Sequence, residues 1–227
     1  MHREGMTTRH EHSHGPHGET RSAERFWEDF YEEKDTVWSG RPNPLLVREV
    51  ASWTPGRALD LGCGEGGDAI WLARQGWRVT AVDVSDTALR RAAAHAADAG
   101  VGDRIIWQRH NLVRSMPEGS FDLVSAQFLH SPVAEEGERE GILRRAADAV
   151  APGGVLLIGS HAGWPSWVES PPFEHRFPTV GEIVEALRLP PDEWTVEVAE
   201  VVETDVADPD GRPGRREDSV VRVRRAP

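Results

Sequence analysis

Between residues 57 and 160, short apolar runs alternate with amphipathic stretches. RALDL (57–61) reads as a buried strand, and WRVTAVDV (77–84), RIIWQRHNL (104–112), FDLVSAQFL (121–129) and GVLLIGS (154–160) as the strands that follow it. The intervening stretches have helical spacing. DAIWLARQG follows a glycine-rich loop. Ser85 precedes a face of Ala88, Leu89, Ala92, Ala93 and Ala96, which Gly100 ends. Ile142, Leu143, Ala146 and Val150 mark another helix, stopped by APGG. Short connections between alternating strands and helices predict an α/β fold with a doubly wound parallel sheet.

Both ends break this rhythm. Upstream, Phe26, Trp27, Phe30 and Tyr31 form an aromatic stripe at helical spacing, with Glu28, Asp29, Glu32 and Glu33 outward. TVWSGRPNP is turn-rich, because Pro42 and Pro44 forbid regular helix there, and Leu45, Leu46, Val47 and Val50 open a second helix. Downstream, a helix starts near Thr179, and WTVEVAEVVET (194–204) and DSVVRVRR (218–225) read as strands. Their connection, ADPDGRPGRRE, is too short for a crossover helix and predicts an antiparallel hairpin. The expected division is a tail over 1–21, a helical lid over 22–56 and a main domain over 57–227. The tail holds His2, His10, His12, His14 and His17 without any period and reads as disordered. A metal-capturing tract is the weaker alternative, because metal sites need fixed geometry.

Composition narrows the function. A net charge of −12 opposes phosphate backbones, so no nucleic-acid partner is expected. Arg212, Arg215, Arg216, Arg222, Arg224 and Arg225 are interleaved with Asp208, Asp210, Glu217 and Asp218, the pattern of a solvated hairpin. The single cysteine, Cys63, excludes an internal disulfide. No run reaches the roughly 18–20 apolar residues of a membrane span, and the first twenty residues lack a signal-peptide core. The expectation is a cytoplasmic protein with no membrane partner, a monomer or homodimer. No zinc-type motif is present, so no metal is expected.

The chemistry concentrates in ALDLGCGEGGDAIWLA (58–73). Gly62, Gly64 and Gly67 fit a G-x-G-x-x-G spacing; Gly62, Gly64 and Gly66 fit the tighter G-x-G-x-G. A glycine turn between strand and helix offers amides and a helix N-terminus to an anionic group, and Asp83 at the end of the second strand is placed to reach a ribose. Asp60, at the mouth of the first strand, would oppose a pyrophosphate but suits a ligand with an ammonium and a sulfonium. S-adenosylmethionine has both cationic groups, an adenosine for Asp83 and a carboxylate for the loop amides.

LDLGCGEGG followed by VTAVDVS resembles the first two motifs of class I S-adenosylmethionine-dependent methyltransferases. FDLVSAQFLH is similar to the family's fourth-strand motif, and LRRAADAVAPGGVLLIG to its late helix, turn and fifth strand. The aromatic N-terminal segment with WSGRP resembles the tellurite-resistance-like and thiopurine-type small-molecule group. The resemblance implies a Rossmann-like seven-stranded sheet of order 3-2-1-4-5-7-6 with an antiparallel C-terminal hairpin. It implies a cofactor site of Asp60, Gly62, Gly64 and Gly66 about the methionine moiety, Asp83 on the ribose, and Val84, Asn111 and Leu112 about the adenine. Gln127 would lie near the methyl donor, and Trp38 and Arg41 in the lid.

His130 and His161 follow the fourth and fifth strands, at the ligand edge of such a sheet, and are the candidate bases. Tyr31, Phe128, His130, His161, Trp164 and Trp167 are the candidate acceptor residues. The last two lie in HAGWPSWVESPPFEHRFP (161–178), with Phe173 and Phe177, in an expected lid. The fourth strand ends AQFL, not in the Asn/Asp-Pro-Pro-aromatic motif used on amide or base amino groups. The expected function is methyl transfer from S-adenosylmethionine to a small-molecule S, N or O nucleophile. The alternatives are an enzyme acting on RNA or protein, a nicotinamide-dependent oxidoreductase, and a non-catalytic cofactor-binding module.

Overall fold

The apolar runs form one seven-stranded sheet of order β3-β2-β1-β4-β5-β7-β6. The computed structural model describes residues 22–37, 40–170, 175–208 and 210–227. The histidine tail, Trp38 and Phe173 lie outside them, and the expectations placed on them go no further. The strands are β1 (Arg57–Leu61), β2 (Arg78–Asp83), β3 (Ile105–Arg109), β4 (Phe121–Gln127), β5 (Val150–His161), β6 (Trp194–Ala207) and β7 (Pro213–Arg225). The helices are α1 (Ala23–Glu32), α2 (Pro44–Val50), α3 (Gly67–Arg74), α4 (Asp86–Asp98), α5 (Glu138–Asp148) and α6 (Val180–Leu187). β1 to β5 run parallel; β7 is antiparallel to β5 and β6.

The lack of polar alternation in the central strands follows from cover on both faces. Leu59, Leu61, Val124, Leu156 and Ile158 pack with Ile142, Leu143 and Ala146 of α5 and Ile183 and Leu187 of α6. On the other face Ala58, Val79, Leu123 and Leu157 meet Leu45, Leu46 and Val50 of α2 and Ala69 and Leu72 of α3. Each such side chain contributes about 1.5–3 kcal/mol on full burial. α2 is thus part of the core that carries β1. Helix starts follow local chemistry: Ser85 Oγ accepts the Ala88 N–H, and Thr179 and Glu182 form a capping box.

Several element boundaries differ from expectation, four of them for a visible reason. β3 stops at Arg109, because Asn111 folds the chain into a turn, its carbonyl accepting Arg114 N–H and its side chain Val113 N–H. β4 stops at Gln127, where Phe128 takes a left-handed backbone (φ +52°). APGG does not separate α5 from β5. The strand begins at Val150, opposite Phe121, and a bulge shifts the register so that Leu123 faces Val155. β7 begins at Pro213, and the turn closes on Asp208, whose side chain accepts the Asp210 and Arg212 N–H groups. Arg215 faces Glu203 at 3.2 Å and Asp205 at 3.8 Å across the ribbon. Exposed pairs of this kind contribute little energy but favour one register. Among the described residues no helix is long and apolar enough to cross a membrane.

Candidate functional site

β1 pairs with β2 on one side and β4 on the other, so the connections leaving the carboxyl ends of the strands diverge there and open a crevice. A cavity of about 670 Å³ fills it. Its wall includes Gly62, Gly64 and Gly67 after β1, Asp83 and Val84 after β2, Asn111 and Leu112 after β3, and Gln127 and Phe128 at β4. Trp27 and Tyr31 of α1, Arg41, His130 and His161 complete it. Glu28 fixes α1 over the crevice: its carboxylate accepts the Ser85 hydroxyl at 2.7 Å and the Thr87 hydroxyl at 2.6 Å.

The glycine loop works differently from an anion nest. The N–H groups of Gly62 and Cys63 both donate to Val82 O, that of Gly66 to Cys63 O, and that of Gly64 to Asp83 Oδ2, each at 2.9 Å. These amides tie the loop to β2, so the loop serves a ligand by close backbone approach. The two glycine spacings are also resolved. Gly66 sits at φ +87°, and a Cβ there would lie 2.8 Å from Trp107 and 3.0 Å from Ala92; it does not line the cavity. Gly67 does, and a Cβ there would lie 2.7 Å from Arg41 O. Gly66→Ala is therefore expected to lower the melting temperature by a strain of about 1–3 kcal/mol. Gly67→Ala is expected to displace the Arg41 segment and weaken ligand binding. Thermal melts beside ligand titrations check the pair.

Five carboxylates line the cavity, those of Asp60, Glu65, Asp68, Asp83 and Glu138, and burial dominates the three aspartates. Asp60 is 2% exposed. Burial pushes its pKa well up, the charges of Asp68 and Asp83 add to this, and the Ala69 N–H opposes it. Burial also raises Asp68, against bonds from Asn43, whose backbone N–H and side-chain Nδ2 reach its carboxylate at 2.6 and 2.8 Å. Burial raises Asp83, against the N–H groups of Ser85, Gly64 and Val84. Asp60 Oδ2 and Gln127 Oε1 are buried acceptors with no donor among the described residues. Such groups are costly unless a partner arrives. A ligand bringing N–H donors and positive charge fits this wall, and a pyrophosphate does not.

Asp60, Gly62, Gly64, Asp83, Val84, Asn111, Leu112, Gln127 and Arg41 therefore meet in one cavity, joined by Tyr31, Phe128, His130 and His161. Gly66 is a packing residue instead. Asn111 lines the cavity with its amide already engaged, the NH2 donating to Glu24 Oε1 at 2.5 Å and the oxygen accepting Val113 N–H at 3.0 Å. Trp164 and Trp167 are not brought to the cavity. The segment after β5 lies along β7, with Ala162 N–H on Glu217 O and Ser166 N–H on Arg215 O, both at 2.9 Å. That pairing turns Trp167 onto Gly214, while Trp164 packs edge-on against Phe177. Asp68, Trp27, Arg139 and Arg216 also line the site and were not site candidates from sequence, and Gly67 entered only through the G-x-G-x-x-G spacing. Asp68 carries the one local signal, a further carboxylate within the glycine motif.

The other end of the cavity is basic. The rings of His130 and His161 are 5.8 Å apart, and His161 stands 4.6 Å from Phe128. Burial holds His130 below the usual imidazole range, and the neighbouring His161 adds to this. Arg139 donates to Leu129 O and Ser160 Oγ, and the Arg216 guanidinium lies over the Phe128 ring at 5.2 Å. Among the described residues no cluster of three or more His, Cys, Asp or Glu forms a metal site.

Residues 58–154 match the family model of a methyltransferase domain. That span runs from β1 into β5 and holds the glycine loop and the three buried aspartates. The ubiquinone biosynthesis O-methyltransferase of Caulobacter sp. (strain K31) is 37% identical over 106 residues, 46% of this chain and 40% of that protein, so the match spans about two fifths of that relative. Thiocyanate methyltransferase 1 of Arabidopsis thaliana is 27% identical over 164 residues, 68% of this chain and 72% of that protein. The solved structure of the N-methyltransferase NodS from Bradyrhizobium japonicum WM9, in complex with S-adenosyl-l-homocysteine, aligns with a TM-score of 0.60 at 18% identity, covering 87% of this chain and 97% of that one. At that identity the likeness is one of fold.

Proposed function

We propose that the chain is a class I S-adenosylmethionine-dependent methyltransferase that transfers a methyl group to a small-molecule nucleophile held at the basic end of the cavity. The observation that carries this reading is the orphaned pair of acceptors, Asp60 Oδ2 and Gln127 Oε1, in a wall that also holds Asp68 and Asp83. These residues would hold the ammonium-bearing methionine moiety, with Asp83 on the ribose and Val84 and Leu112 on the adenine. When bound, S-adenosylmethionine supplies an electrophilic methyl on a positively charged sulfur. The protein's own part is to align the acceptor and exclude water. Trp27 and Tyr31 do the latter by roofing the crevice, and Glu28 holds their helix in place. The cavity volume, within the range of about 300–1,000 Å³ of small-ligand sites, and the charge of −12 support a small acceptor over a nucleic acid.

Calorimetry with S-adenosylhomocysteine and NAD tests the cofactor reading. The homocysteine compound is expected to bind one per chain with a micromolar Kd, and NAD to give no heat of binding. Binding of NAD alone would overturn it.

A further inference from the structure

Resting on the methyltransferase reading, we infer that Asp218 and His161 act as a proton-abstracting dyad, and that the acceptor is accordingly a hydroxyl compound that enters with its proton. His161 ends β5 and lines the cavity beside Phe128 and His130. Directly across the ladder on β7 stands Asp218, with Oδ1 2.9 Å from His161 Nδ1. Asp218 is 1% exposed, and its second oxygen accepts Arg216 Nε at 2.8 Å. The carboxylate is thus fixed from both sides and holds Nδ1 as the protonated nitrogen. That leaves the Nε2 lone pair of a cavity-lining imidazole to accept a proton. In the step proposed, the acceptor O–H bond breaks, its proton joins Nε2, and the electron pair stays on the oxygen.

The surroundings set the direction. The guanidinium groups of Arg216 on β7 and Arg139 on α5 line the same cavity and favour an anionic oxygen there. Asp218 stabilises the imidazolium as it forms. His130 follows β4 and donates to Phe128 O; burial favours its neutral form, and His175 and Arg139 push the same way. The Glu217 carboxylate lies beside Gly163, just past the end of β5. A thiol, which ionises with a pKa of about 8.5, needs such a dyad little, and a halide not at all. A hydroxyl needs a base. Asp218 is a positioning residue acting through His161.

The test uses the full chain with S-adenosylhomocysteine bound. Nitrogen-detected NMR of the imidazoles is expected to show neutral His161 as the Nδ1–H tautomer, and Asp218→Asn to move it toward Nε2–H with affinity for the homocysteine compound unchanged. In parallel, a panel of phenols, thiols and halides is offered with S-adenosylmethionine and products are detected by mass. A phenolic member is expected to be methylated. Asp218→Asn should lower its kcat by about 10²–10⁴-fold and move the acidic limb of the pH profile to lower pH, with partial recovery in Asp218→Glu. An Nε2–H tautomer in the wild type, methylation of thiols or halides alone or of nothing in the panel, or an unmoved pH limb in Asp218→Asn would each overturn the dyad. Failure of the wild type to bind the homocysteine compound would instead overturn the cofactor reading beneath it.

Discussion

Asp60→Asn is expected to weaken S-adenosylhomocysteine binding by about 30-fold or more, the roughly 2 kcal/mol or more lost when one partner of a buried charge pair is removed. The same change should raise the stability of the ligand-free protein at neutral pH. Without ligand, Asp60 is buried with one orphaned oxygen and two carboxylate neighbours, and its pKa stands well above the unfolded value near 3.9. Between those two values the folded chain holds a proton that the unfolded chain has released. Stability then falls as pH rises, and the site's favourable contribution is lost through the folded pKa. Asn does not ionise, its oxygen still accepts the Ala69 N–H, and its amide can donate to the neighbouring carboxylates. The variant's advantage in melting temperature should therefore grow as pH rises above the unfolded value and level off past the folded pKa. Binding of the cationic ligand to wild type should release protons over the same range, read as buffer-dependent heats in calorimetry. An unchanged affinity, or a lower melting temperature at neutral pH, would remove Asp60 from the cation site. The loss of stability that wild type accepts here is what an active site costs when its charge is matched to an absent ligand.

What the sequence made legible follows the range of the interactions. RALDL, the Ser85-capped helix and the C-terminal hairpin were readable because periodicity, capping and turn chemistry act within a few residues. Asp60, Gly62, Gly64 and Asp83 were readable for the same reason: a strand, a tight turn and the end of the next parallel strand must adjoin. Other features depend on contacts with no local trace. Which way the loop amides point follows from Val82 O and Asp83, and Gly66 is packed against Trp107, a side chain of β3, while Gly67 lines the cavity. His161 was visible as a strand-end histidine, but its partner lies 57 residues away on an antiparallel neighbour. Trp164 and Trp167 lie among prolines where no period gives a direction, and backbone pairing to β7 turned the segment away from the cavity. β7 itself began five residues earlier than its apolar pattern, because its backbone ladder with β6 continues beyond the core, where no apolar side chain marks it.

Asp83→Ala is expected to weaken binding of S-adenosylhomocysteine more than tenfold, for a reason different from that at Asp60. The Asp83 carboxylate accepts the Gly64 N–H at 2.9 Å and the Ser85 N–H at 3.0 Å, so it holds the glycine loop to the start of α4 while its remaining lone pairs face the cavity. Alanine removes an acceptor for the ribose hydroxyls and also leaves those amides without partners, at about 1–3 kcal/mol for each buried group. Burial strain on the carboxylate is relieved at the same time, so the melting temperature carries two opposed effects and affinity is the decisive readout. Methylthioadenosine, which has the nucleoside but no ammonium, separates the two carboxylates. Asp83→Ala should lose affinity for it as for the homocysteine compound. Asp60→Asn should lose affinity for the homocysteine compound alone. A variant pair that fails to divide in this way would show that the cavity does not hold the nucleoside at Asp83 and the ammonium at Asp60.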